Sequence, residues 1–375
     1  MTRFSMLLML CVGISFACSD KRNQNQEVDF STIPEFTPKQ LSQFDQVDSL
    51  YFGYLGVRSF PLADGSFILG VQDPSHLAHI NKEGNSLLGI TKKGRGPSEI
   101  LQIGVPTKSN SDIHVYDRNK KSVMAFDLTL APKNEFQISQ NENLYVNNVA
   151  YKIGDEDYLV EMNSIDWIFD SEKSKYLIFS RYNSSTGSYG KTVRLIDRQY
   201  AQSESPAPPA PVKYYAEFLG GDRAISYSDK QLYAFSEMEE SLFLYNTGSD
   251  HIAEVDFNFD TLRTISVSFP TEEITRVEID SIKKVVQETE ILDNLVSRMP
   301  KLKTPIERML IDHKDRFWLK SNLRGNHEKW FVMNQDGDIV KVVNLPKNTF
   351  LTHISEHHLG VRIDDSTFGL FEAVD

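Results

Sequence analysis

Only two cysteines, Cys11 and Cys18, occur in 375 residues, and both stand near the start of the chain. Once a leader ending before Cys18 is removed, a single cysteine remains, which excludes an internal disulfide. Basic residues are in deficit as well, with 40 Lys and Arg against 52 Asp and Glu and a formal net charge of −12. That balance argues against nucleic acid as a partner and against adhesion to anionic lipid through surface charge. The uncharged apolar run from Phe4 to Ala17 falls short of the about 20 residues a membrane-crossing helix needs. Linear catalytic signatures are missing too. There is no Gly-x-Ser-x-Gly elbow, and Asp336-Gly337-Asp338 lacks the twelfth-position Glu of a calcium hand. Paired carboxylates such as Glu239-Glu240 and Asp364-Asp365 read as solvated turns, and no motif asks for a metal or a cofactor.

What the chain does have is a repeated strand pattern. From about Val47 onward, short runs of Val, Ile, Tyr, Phe and Leu alternate with Gly, Asn, Asp, Lys and Ser. The first unit takes Val57 to Phe60, Phe67 to Val71, His76 to Ile80 and Leu87 to Ile90, with turns at Asp64-Gly65 and Lys82-Glu83-Gly84-Asn85. The second takes Ile103 to Val105, Asp112 to Asp117, Val123 to Asp127 and Glu135 to Ile138. A third spans about 144 to 198, a fourth about 212 to 258 including Arg223 to Tyr227, and a fifth about 305 to 343. The sixth has three evident strands, near 350–354, 359–363 and 367–373, and Leu50-Tyr51-Phe52 is expected to supply its fourth. Sharing one unit between the chain ends closes a ring and removes an exposed edge. A tag recurs at strand ends: Tyr116-Asp117, Phe126-Asp127, Ile196-Asp197, Tyr245-Asn246 and Met333-Asn334.

Two segments interrupt the repetition. Pro206 to Pro211 reads as an extended polyproline-like excursion. Residues 271 to 299 carry apolar residues at helical spacing, with Thr271 as the expected cap, Glu272 and Glu273 in the first turn and Pro300 as the stop. The predicted fold class is all-β, a six-bladed β-propeller over 47–375 with a short α-helical insertion, 271–299, between blades 4 and 5.

Between the first two units lies Lys92-Lys93-Gly94-Arg95-Gly96-Pro97-Ser98-Glu99-Ile100. Gly94 and Gly96 allow positive φ or close backbone approach, and Pro97 pushes Gly96 toward an extended form, so helix is broken here. The glycines are not followed by Lys-Ser or Lys-Thr at phosphate-loop spacing. Two readings are open. Gly94, Gly96 and Pro97 form a rigid structural corner tied by Arg95 or Glu99, or Arg95 and Glu99 face a ligand, the guanidinium fork suiting carboxylates and phosphates. This Gly-Arg-Gly-Pro-Ser-Glu turn resembles the Gly-Arg-Gly-Pro-Gly-Glu turn of Bacteroidetes six-bladed β-propeller lipoproteins of the TolB-like or NHL-like kind, with Ser98 where that family has glycine. The resemblance implies the propeller fold more than any activity.

The N-terminus is consistent with secretion. Arg3 and the apolar run to Ala17 read as a signal peptide, 1–17, and Ser15-Phe16-Ala17-Cys18 resembles a bacterial lipobox. Ala17 fits that pattern, while Ser15 stands where leucine is usual, and an ordinary signal peptide cleaved elsewhere is the alternative. Acylation of Cys18 would anchor the protein to a membrane without spanning it, and residues 18–46 would act as a polar tether. The expected location is the cell envelope, at the outer membrane or cell surface. The expected role is a binding or scaffold module for a protein, peptide or glycan. The alternative is a propeller hydrolase or lyase acting on an extracellular polymer, with Arg95 and carboxylates near the channel. His353-Ile354-Ser355-Glu356-His357 matches a metalloprotease string, but its flanks read as strand, turn, strand rather than the helix that would bring two imidazoles to one zinc. His76 and His79 lie on opposite faces of a strand and are expected to pack rather than ligate.

Overall fold

A computed structural model describes residues 30–109, 111–139, 144–164, 175–198, 230–285 and 301–374. The leader, Cys18, the opening of the tether, the Pro206 to Pro211 excursion, Arg223 to Tyr227 and the stretch 286–300 lie outside those residues.

The chain begins with two strands, β1 (Glu35–Phe36) and β2 (Gln40–Phe44), and a small hairpin, β3 (Gln46–Val47) with β4 (Leu50–Tyr51). Blade 1 follows as β5 (Tyr54–Pro61), β6 (Phe67–Asp73), β7 (His76–Ile80) and β8 (Leu87–Ile90). Blade 2 is β9 (Thr107–Ser109), β10 (Asp112–Asp117), β11 (Ser122–Asp127) and β12 (Pro132–Gln137). Blade 3 is β13 (Leu144–Lys152), β14 (Asp157–Ser164), β15 (Lys175–Asn183) and β16 (Ser188–Arg198). Blade 4 is β17 (Gln231–Ser236), β18 (Ser241–Asn246), β19 (His251–Val255) and β20 (Thr261–Ser266). After a helix, α1 (Arg276–Val285), blade 5 is β21 (Ile306–Ile311), β22 (Phe317–Ser321), β23 (His327–Met333) and β24 (Ile339–Pro346). Blade 6 is β25 (Phe350–Ile354), β26 (His358–Arg362) and β27 (Phe368–Glu372). The fold is therefore the expected six-bladed propeller. Among the described residues no helix is long and apolar enough to cross a membrane.

The recurring Asp and Asn tags have a local cause. Asp117 Oδ1 accepts from the amides of Asn119 and Lys120, and Asp127 Oδ1 from those of Thr129 and Ala131. Asn334 Oδ1 accepts from Asp336 and Asp338 in the same way, and Asn246 Oδ1 from Gly248. Each side chain replaces the strand ladder with a bond to the backbone two to four residues on, so each tag writes a hairpin turn.

Blade stacking follows from strand alternation. Successive side chains point to opposite faces, and in a propeller both faces of a blade are covered by neighbours. In β22, Phe317 and Leu319 join the apolar layer shared with blade 4, while Trp318 joins the one shared with blade 6. Similar layers fill every joint, between blades 1 and 2, 2 and 3, 3 and 4, and 6 and 1. The core is thus a ring of six inter-blade layers rather than one central mass.

Closure uses the N-terminal segment differently from the sequence expectation. The fourth strand of blade 6 is β2, antiparallel to β27, and not Leu50-Tyr51-Phe52. Leu50 and Tyr51 pair instead with Val47 and Gln46, and Phe52 is buried in the layer between blades 6 and 1. The segment taken as tether up to 46 thus contributes strands from Glu35 onward. β1 adds a fifth, parallel strand to blade 5, with Glu35 bonded to Lys329 and Asn344. Phe44 of β2 packs on Phe52, Phe67 and Phe368. Two further corrections concern registers. The innermost strand of blade 2 is Thr107–Ser109 rather than Ile103 to Val105, and the described part of blade 4 runs to Ser266 rather than stopping near 258. The helix cap is Thr275 rather than Thr271. Glu278 accepts from the Thr275 amide and hydroxyl at 2.8 Å, and its own amide donates to Thr275 Oγ1 at 3.4 Å, a reciprocal capping box that Thr271 has no acid in place to form.

Candidate functional site

The innermost strands β5, β9, β13, β17, β21 and β25 surround the channel, and their C-terminal ends open into a cavity of about 400 Å³. Its walls are largely aromatic and aliphatic, with Phe60, Pro61, Tyr151, Phe235, Met238 and Met309 among them. Tyr151 clusters with Phe235 and Phe257, the ring centroids 5.1 and 5.0 Å away at 15° and 20°. Burial, then the carboxylates of Glu237 and Glu240, push the Tyr151 phenol up to about 12, so its hydroxyl stays protonated.

Most charge at this mouth is already spent. Lys108 Nζ donates to both Glu237 oxygens, at 2.9 and 2.6 Å. Asp312 takes backbone amides from Lys314 and Arg316 on one oxygen, and Arg316 Nε and the Trp318 indole on the other, at 2.8 and 2.9 Å. Two groups stand apart. Asp315 sits in the left-handed region at φ 54°, and its Oδ1 accepts from Ser236 Oγ at 2.8 Å. Burial, with the Asp312 and Glu254 carboxylates adding to it, raises the Asp315 carboxyl above the usual range.

Arg58, on the innermost strand of blade 1, reaches across the channel to blade 4, opposite it in the ring. Its guanidinium carbon lies 6.0 Å from the centroid of the Tyr233 ring, a cation–π approach. Tyr233 donates its hydroxyl to Glu161, and Asn147 donates to the other Glu161 oxygen. Burial first, then the neighbouring Glu161 charge, raise the half-buried Tyr233 phenol. Glu161 is thereby occupied, and among the described residues no carboxylate forms an ion pair with Arg58.

Toward the opposite end of the channel, arginines bridge blades 5, 6 and 1. Arg308 donates to the carbonyls of Leu351 and Val57 at 2.8 and 3.1 Å, with its guanidinium 3.6 Å from the Phe350 centroid. Arg362 donates to the Leu55 carbonyl at 3.2 Å. Beside them a cavity of about 260 Å³ separates α1 from blades 5 and 6. Its lysines are neutralised internally. Lys320 bridges Glu307 and Glu328 at 2.9 and 3.1 Å, and Lys303 bridges Glu278 and Glu272 at 2.5 and 3.5 Å. Burial disfavours the Glu278 charge, yet bonds from Lys303, Thr275 and Arg324 prevail and hold the carboxyl at about 2.

The residues singled out from sequence occupy other places. Arg95 is exposed and lines neither cavity. Glu99 turns back on its own loop, with Oε2 accepting from the Gly96 amide at 2.8 Å. A Cβ on Gly94 would lie 2.2 Å from that oxygen and one on Gly96 2.8 Å, so a side chain at either position would displace the carboxylate from the loop. Pro97 is exposed at the tip. Ser98 takes φ 58°, which explains why glycine suits this position in the family that the turn resembles. The loop is pinned to blade 2, because Lys120 Nζ donates to the Gly96 and Glu99 carbonyls and Glu135 accepts from the Ser98 amide. Arg95 and Glu99 are therefore not brought together with Arg58 or Asp315.

The histidines of the protease-like string are also separated by function. His353 is buried in β25, bonded through Nδ1 to Ser59 at 2.5 Å, while Glu356 and His357 are exposed on the turn. Among the described residues no group of three or more His, Cys, Asp or Glu could hold a metal. His76 bonds to the Thr91 carbonyl and His79 to Ser66. Sequence reading passed over Arg58, Tyr233 and Asp315. The available signal was a charged residue inside an otherwise apolar innermost strand, Val57-Arg58-Ser59-Phe60, which only the ring geometry makes meaningful.

These features define a six-bladed β-propeller closed by N-terminal strands, with a cavity at one mouth of its channel and arginines bridging blades 5, 6 and 1 toward the other. Among solved structures the chain is similar to a member of the duf4221 family from Bacteroides vulgatus, at 12% identity and a TM-score of 0.53, covering 89% of this chain and 97% of that one. It is also similar to a Bacteroides fragilis protein assigned by name to the exported class, at 13% identity and a TM-score of 0.51, covering 93% and 97%. The likeness to Bacteroidetes propellers is thus met at the level of fold. No family model and no curated protein matches the sequence.

Proposed function

We propose that the protein is a lipid-anchored propeller of the bacterial cell envelope that serves as a binding module, taking a protein, peptide or glycan ligand at the channel mouth. The observation that carries this reading is the composition of that mouth. Its walls are largely aromatic and aliphatic, and among the described residues its charged groups are engaged with one another except for Arg58 and one oxygen of Asp315. Such a cavity suits recognition, in which apolar area supplies affinity and a few placed polar groups supply orientation. The envelope location is supported by the Arg3 to Cys18 leader pattern and by the export-class name of one fold relative.

Two measurements test the proposal. Labelling of the expressed chain with an alkyne fatty acid should require Cys18, and labelling retained in a Cys18→Ala variant would remove the anchor. A photo-crosslinking side chain replacing the exposed Met238 should capture a ligand from envelope extract, while the same group replacing Arg95 should not. Capture at position 95 alone would move the site to the glycine-rich turn, and capture at neither position would end the binding reading.

A further inference from the structure

We infer that the channel mouth selects ligands that present a carboxylate to Arg58 and lay an apolar or aromatic body against the facing walls. This rests on the binding reading above and specifies its ligand class. Three observations carry it. Arg58 is half-buried at the mouth, its guanidinium held by a π face and a phenol rather than by an anion. A cation so placed is partly desolvated without an ion-pair partner, and an incoming anion restores what the channel withholds.

The remaining charges do not compete for that role. Lys108 is bound to Glu237 by both carboxylate oxygens, Arg316 is bound to Asp312, and Glu161 is occupied by Tyr233 and Asn147. Arg58 is therefore the cation that remains for a ligand among the described residues lining this cavity. Beside it, Tyr233, Phe235 and Met309 offer an apolar wall. The planar guanidinium fork takes a carboxylate in two parallel bonds, a geometry that a neutral amide cannot match. Asp315 adds a second preference. Its Oδ2 has no donor among the described residues and can accept an N–H from the ligand body.

The same chemistry could come from a free acid or from the C-terminal end of a peptide, and matched probes separate the two. Phenylacetate and hexanoate represent the first source, N-acetylphenylalanine the second, and the corresponding primary amides are neutral controls. Titration of the full-length protein at pH 7, followed by calorimetry or ligand-observed NMR, should show at least one acid binding about tenfold or more tighter than its amide, as expected for a charge-assisted pair. Preference for N-acetylphenylalanine over the simple acids would assign the peptide source, and the reverse would assign the free acid. Arg58→Gln should bring acid down to the level of amide, and Arg58→Lys should retain part of the difference. Should Arg58→Gln fail to fold, the comparison of acid with amide on the unaltered protein still decides. Equal binding of acids and amides overturns the selectivity while leaving the mouth as a binding site. Absence of binding by every probe overturns it as well, and crosslinking at position 238 then tells whether the broader reading survives.

Discussion

Acid should destabilise this protein well before its carboxylates are protonated, because three imidazoles are buried in apolar layers. His114 has both ring nitrogens without a hydrogen-bond partner among the described residues, and burial lowers its affinity for protons to a pKa of about 4, with Asp112 pulling upward and Lys152 and Lys133 downward. His358 is likewise held at about 4, by burial and then by His357, and His353 is pushed well below its usual value by burial and then by His358. An unfolded imidazole titrates near 6.5. Between those values the unfolded chain binds more protons than the folded one, so stability is complete above about pH 6.5 and is lost as the pH falls. At about 1.4 kcal/mol per pH unit, His114 and His358 together remove roughly 4 kcal/mol between pH 6.5 and 5, a large share of the ~5–15 kcal/mol that holds a typical domain folded. Carboxylates with lowered values, such as Glu278, Asp112 and Glu328, lose their contributions only at lower pH, so the window from 6.5 to 5 belongs to the histidines. Urea unfolding monitored by tryptophan fluorescence from pH 7.5 to 5 measures the slope. His114→Phe keeps a ring against Tyr158 and removes the titrating group, and it should reduce that slope by about a third to a half. A stability that is flat over this range, or a slope unchanged in His114→Phe, refutes the reasoning.

Other outcomes follow from single positions. Ser98→Gly should stabilise the fold by about 0.5 kcal/mol, because relief of the left-handed φ of 58° outweighs the added freedom of the unfolded chain; the shift in melting temperature measures it. Gly360→Ala should cost about 1–3 kcal/mol, since its Cβ would stand 2.2 Å from Cε1 of a buried His353 that Ser59 holds in place. A melt equal to that of the parent protein would mean that His353 can move aside. Phe44→Ala should cost about 2 kcal/mol by opening the aromatic contact between β2 and blades 6 and 1, and partial proteolysis should then cut first within the N-terminal segment.

How much could be read in advance depended on how local the cause was. The tags at Asp117, Asp127, Asn246 and Asn334 were legible because each acts on amides within four residues of itself. Strands such as Phe67–Asp73 and Ser122–Asp127 were legible because both of their faces are covered, which concentrates apolar residues in short runs bounded by turns. Thr107–Ser109 was not, since a three-residue strand at the channel carries no apolar signature, and nearby Ile103 and Val105 drew the reading away. Gln40–Phe44 was hidden for a related reason: as an outer edge strand it buries little of its own surface. The cap of α1 is a different case, for Thr275 and Glu278 stood in the sequence at capping-box spacing and lost only to the acids after Thr271.

By itself, then, the amino-acid sequence determined the alternation of strand and turn, which arises from bonds between near neighbours, and the repetition that counts the blades, while it left open whether Glu99 closes its own loop or faces a ligand. Tertiary structure alone decided that Arg58 faces Tyr233 from the opposite blade, that Arg308 and Arg362 bridge blades 5, 6 and 1, and that Asp315 keeps an oxygen without a donor among the described residues. The physical reason is ring closure. Residues far apart along the chain meet only after every inter-blade layer has packed, and no local spacing encodes which side chains will then share the channel.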